Sequence, residues 1–119
     1  MTATYDFTMK SGDSKVLQVT VKDEAGVAIN ITGATFTWAL SKKKSSGGFS
    51  PTLLLTKTVG SGITLVTPAS GRLDIALLPA DTDALKGSYY QELQMVDTAT
   101  NKSTVLDGTI TIDPDLITT

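Results

Sequence analysis

Paired carboxylates are the side chains here whose types and spacing could best do acid–base chemistry. The 119-residue chain has no histidine and no cysteine. That removes the commonest general base, the usual activator of a serine or threonine nucleophile, and the two commonest transition-metal ligands. Acid–base work would then fall to a pair of carboxylates facing each other across a pocket. Glu92 and Asp74 are the pair to consider, because each lies at an outward position of an alternating stretch. The same positions suit any polar residue on a wetted sheet face. Asp81 and Asp83 flank Thr82, and Asp113 and Asp115 flank Pro114. Two carboxylates two apart could belong to a calcium site, but such a site draws six or more oxygens from a dedicated loop. A helix cap with a solvated charge explains Asp81 and Asp83 more simply. Gly60-Ser61-Gly62 lacks the lysine and helix that complete a phosphate-binding loop. The expectation is a protein without catalytic residues, cofactor or metal.

Binding chemistry is similarly sparse. Lys42, Lys43 and Lys44 form the one basic cluster, readable as a contact to an acidic partner or as a solvated hairpin tip. No aromatic residue is interleaved there, the formal net charge is −2 and the pI is about 4.8. That balance argues against nucleic-acid binding. Phe49 sits alone in a Gly-Ser stretch, either tucked over the end of the fold or anchoring a neighbouring subunit. Leu116 and Ile117, in the tail after Pro114, are the other candidate partner contacts. Tyr90 is the aromatic on an outward face that a glycan-binding reading would need.

The elements that would position these residues are strands. Apolar residues alternate with polar ones in Tyr5-Phe7-Met9, Leu17-Val19-Val21, Phe36-Trp38-Leu40, Leu73-Ile75-Leu77, Tyr89-Gln91-Leu93-Met95 and Gly108-Ile110-Ile112. This period of two marks strands with one buried and one wetted face. Turn signals punctuate them at 11–14, 23–26, 60–62, 68–71 and 97–102. Val27 to Ile31 reads as a short edge segment, 41–51 as a loop, and Leu53 and Leu55 as one face of a returning strand. Ala80 to Lys86 reads as a helical corner of one or two turns, with Leu85 inward and Gly87 as its stop.

The sum is seven to nine strands with no long helix, which predicts an all-β, antiparallel β-sandwich. One domain spans 1–119, with a core from about 4 to 113. Trp38, the only tryptophan, should be the centre of that core, contributing on the order of 3 kcal/mol. Tyr89, Leu93, Leu17, Val19, Phe36, Ile75 and Ile110 should surround it. Tyr89 follows Gly87 by two, so it is placed either to bond back across the corner or to serve as a plain buried aromatic. No apolar run approaches the roughly 20 residues that span a bilayer. The first ten residues lack a basic region followed by an apolar one, so the expectation is synthesis in a cytoplasm.

The order of features resembles a known group. It runs from Gly12-Asp13 through DEAG at 23–26 and INITGATFTWAL at 29–40. It continues through KTVGSGITLVTPASGRLDIALLPADTDALKGSYYQELQMVD at 57–97 and DGTITIDPDLIT at 107–118. This is similar to the immunoglobulin-like domain of tailed-bacteriophage structural proteins, including the N-terminal domain of the baseplate upper protein family and small stand-alone virion proteins. The resemblance covers nearly the whole chain. Its most specific parts are the run from Gly62-Ile63 to Gly71, the Ala-Asp-Thr corner and Gly87-Ser88-Tyr89. It implies a non-enzymatic virion protein, present in many copies and made in a bacterial cytoplasm. Its partners would be other capsid, tail or baseplate subunits, with no nucleic acid or membrane. With no fibre-forming or receptor-binding region read after residue 119, the expected roles are a capsid decoration, a small head–tail or tail component, or a baseplate adaptor. A carbohydrate-binding adhesion module on the particle surface is the alternative.

Overall fold

A computed structural model describes the backbone of residues 3–43 and 49–114, with side chains from 4–42 and 53–114. The strands are β1 (Ala3–Thr4), β2 (Phe7–Lys10), β3 (Lys15–Thr20), β4 (Thr35–Lys43), β5 (Phe49–Val59), β6 (Gly62–Thr67), β7 (Arg72–Leu77), β8 (Gly87–Val96) and β9 (Lys102–Asp113). One helical turn, α1 (Pro79–Thr82), lies between β7 and β8. The strand order is β1-β9-β8-β4-β5-β6-β7-β3, with β2 also beside β9. Strands β5 and β6 touch only at Thr58–Gly62 and Val59–Ile63, where the chain steps from one layer to the other.

This is the order of an immunoglobulin-like β-sandwich. Strands β9-β8-β4-β5 stand as the G-F-C-C′ sheet and β6-β7-β3 as the D-E-B sheet. Inward residues of both sheets meet in one core, which includes Leu17, Val19, Ile63, Leu73 and Ile75 from one layer and Phe36, Trp38, Leu93 and Ile110 from the other. Trp38, Leu17, Leu93 and Ile75 have no accessible surface.

Two polar groups inside the sandwich organise its ends. The Tyr89 hydroxyl accepts from the Lys86 amide and donates to the Lys86 carbonyl, both at 2.9 Å, so Tyr89 makes the corner bond. Two residues on, where antibody domains place the second cysteine of their intersheet disulfide, this chain has Gln91. Gln91 is fully buried and accepts from Trp38 Nε1 at 3.0 Å. Its amide nitrogen donates to the Tyr5 carbonyl at 2.6 Å, fastening the N-terminal segment to the core.

The structure departs from the sequence expectations in five places, each with a local cause. The first strand is broken at Tyr5 and Asp6, and both pieces run parallel to β9 rather than antiparallel. The break faces Gly108, where a side chain would collide with the Tyr5 carbonyl, and Asp6 Oδ1 accepts from the Thr109 amide at 2.7 Å. Val27 to Ile31 forms only the bridge Lys22–Ala28. Its amides are spent irregularly instead, Ile29 on the Val21 carbonyl and Ile31 on that of Pro68. The expected loop at 41–51 is largely strand, because β4 runs on to Lys43 and β5 begins at Phe49, the two residues pairing directly. Register shifts after Leu40 and Ser41 then turn Leu53 outward, 57% exposed, while Leu55 packs on the core. The helical corner is shorter than 80–86, beginning at Pro79 and ending after one turn, with Leu85 against the core. Pro79 pre-sets the first helical position, and the Asp81 carboxylate reaches back to the Leu78 amide at 2.7 Å.

Candidate functional site

The carboxylates singled out in the sequence do not converge. Glu92 lies on β8 and Asp74 on β7, in different sheets and on outward positions, so they face away from each other. Asp74 sits instead beside Arg72 Nε at 3.3 Å. Asp81 caps α1 and takes an ion pair from Lys57 Nζ at 2.7 Å. Burial works to raise the Asp81 carboxyl, but the bonds from Lys57 and the Leu78 amide, with the lysine charge, outweigh it and hold it below the ordinary 3.8. Asp83 is exposed, Asp113 offers its carbonyl to the Ser11 amide at 2.9 Å, and Asp115 lies outside the described residues. No group of three acidic ligands that could hold a metal ion occurs among the described residues. Of the expected partner contacts, Lys42 is exposed; Lys43 and Phe49 are placed by backbone alone; and Lys44, Leu116 and Ile117 lie outside the described residues.

The structure instead brings three strands together around a groove on the outer face of the β9-β8-β4-β5 sheet. Thr37, Ala39 and Ser41 of β4 form its floor, Tyr90, Glu92 and Gln94 of β8 one wall, and Leu53 of β5 the other, around about 250 Å³. The concavity has a simple cause. Small side chains stand at outward positions 39 and 41 on the middle strand, with longer ones on both neighbours. The shift that turns Leu53 outward supplies the second wall.

Among the described residues that line the groove, the charged one is Glu92. Glu92 and Asp107 pair directly across β8 and β9, a like-charge pair that costs stability when nothing neutralises it. Glu92 accepts from the Thr104 hydroxyl at 3.2 Å, and Asp107 accepts from that of Thr4 at 3.4 Å. Burial, the Asp107 and Glu92 charges and a hydrogen bond to Asp107 push the Tyr90 phenol above its ordinary value. Among the described residues the ion pairs are Lys57–Asp81 and Arg72–Asp74, neither of which involves this groove.

Beside the groove runs an open strand edge. Among the described residues, one side of β5 pairs with β4, while the other meets β6 only over its last two residues. Leu53 and Leu54, at 57% and 45%, are exposed along it. Outward parity in the sequence marks Tyr90 and Glu92 individually. It misses Ser41 and Leu53 as their neighbours, because the run of Lys, Ser, Gly and Pro around 42–51 carries loop signals.

No protein-family model matches the chain, and no curated protein matches it. Similar solved structures include CopC from Methylosinus trichosporium OB3b, at 13% identity and a TM-score of 0.48 over 92% of this chain and 85% of that one. Tim-1 is similar at 14% identity and a TM-score of 0.46 over 98% of each chain. Similarity of this degree carries no functional argument, and the immunoglobulin-like fold follows from the strand order.

Proposed function

We propose that this chain is a non-enzymatic structural subunit of a bacteriophage particle, a rigid sandwich that binds other virion subunits in a multi-copy array. The observation that carries this reading is the edge of β5, which has no strand partner among the described residues beyond Thr58 and Val59 and on which Leu53 and Leu54 are 57% and 45% exposed. A strand edge with exposed apolar residues invites association with a neighbour, while Pro51 and the register shifts within β5 limit open-ended strand pairing and favour one specific contact. An edge built this way suits a subunit whose neighbours cover it. The resemblance of the turn and core pattern to phage structural domains supplies the kind of neighbour. Many copies would let individually weak contacts add through avidity.

Mass spectrometry of gradient-purified particles from a strain carrying the gene tests the reading. The chain is expected in the particle fraction at several copies per particle. Its absence from particles, with abundance in the same lysate, would overturn the assignment.

A further inference from the structure

The groove on the outer sheet face has a chemistry of its own, and what it would hold can be argued from its walls. We propose that it receives the side chain of a lysine or arginine from a neighbouring subunit, an inference that rests on the subunit reading above. Ala39 and Leu53 offer apolar surface for an aliphatic stem. Glu92 supplies the opposite charge at the groove wall, with Asp107 directly across the strand pair from it.

Charge complementarity selects this occupant over others. Two carboxylates are held in register on one face, and neither described ion pair neutralises them. A cationic side chain relieves their repulsion on docking, whereas a neutral saccharide leaves it in place. A hard metal ion wants six or more oxygens, and no group of three acidic ligands stands anywhere among the described residues. The size also fits: the floor strand and its two neighbours span about 10 Å, the width of one long side chain with its contacts. Thr37, Ser41 and Gln94 line the same groove and can take the guanidinium or ammonium protons that Glu92 does not.

The experiment is an amide-resolved NMR titration of the full chain with Nα-acetyl-arginine amide and Nα-acetyl-lysine amide, carried to about 100 mM because single-residue ligands bind weakly. Nα-acetyl-citrulline amide, nearly the same shape without the charge, and methyl glucoside are run alongside. Saturable shifts centred on Ala39, Tyr90, Glu92 and Gln94 are expected for the two cations. Citrulline should bind at least about fivefold more weakly, and Glu92→Gln should weaken the cations similarly, with the remaining spectrum unchanged. Equal binding of citrulline, binding of the glucoside in place of the cations, or no shift at these residues would overturn the proposal. Particle composition is read separately. A chain present in particles but silent in the titration sinks the groove assignment alone, while a chain absent from particles sinks the subunit reading.

Discussion

Gln91 is the residue whose chemistry most constrains this sandwich. A glutamine with no solvent access is tolerable only if both ends of its amide are used, and here the oxygen serves Trp38 and the nitrogen serves Tyr5. It therefore does by hydrogen bonding, between core and N-terminal segment, what a disulfide does between sheets in antibody domains. Gln91→Leu keeps the volume and removes both bonds, leaving the indole N–H of the most buried aromatic without an acceptor. Chemical denaturation should show a loss of about 2–3 kcal/mol. A loss below about 0.5 kcal/mol would mean the network contributes only specificity. The sequence shows part of this. The alternation placed position 91 inward with Tyr89 and Leu93, but strand periodicity carries no information about which inward neighbour satisfies a polar group. That pairing spans 53 positions to Trp38 and 86 to Tyr5, and it exists only once the layers close.

At the scale of elements, the corner between β7 and β8 ties several parts of the chain together. Asp81 caps α1 and holds Lys57 of β5, and the buried Thr82 hydroxyl accepts from the Gly12 amide at 3.0 Å. The Asp81 carboxyl is held below 3.8 in the fold, so its contribution is fully present above that value and is lost as pH falls through the lower folded value. Asp81→Asn should therefore cost about 1–2 kcal/mol at pH 7. The gap to the parent should close as the pH drops below 3.8, when the parent carboxyl also becomes neutral. A gap independent of pH in denaturation curves would assign the effect to shape instead of charge. Elements with a clean period of two, such as Lys15–Thr20 and Arg72–Leu77, are legible in sequence because both of their faces are regular. The extent of β4 and β5 is not legible. Serine, lysine and proline signal a loop locally, and long-range pairing across the hairpin overrides that signal.

The whole molecule is a sandwich with a wetted outer face, a groove walled by Glu92, and a β5 edge that is largely unpaired among the described residues. Its core was readable as a list of inward positions, since burial follows from alternation. Its surface was not, because a groove is a relation among strands: Leu53 joins Tyr90 and Glu92 only through the register shifts in β4 and β5. The reading of function rests on that surface, with docking onto neighbours as its work. The most direct measurement is add-back. Particles assembled without this chain are mixed with the purified protein and sedimented, and bound protein is counted against a major structural subunit. The account predicts saturable co-sedimentation at a fixed whole-number ratio, reduced at least about tenfold in affinity by Leu53→Lys with Leu54→Lys on a folded domain. A protein that stays in the supernatant at every concentration, with its edge leucines intact, would contradict it.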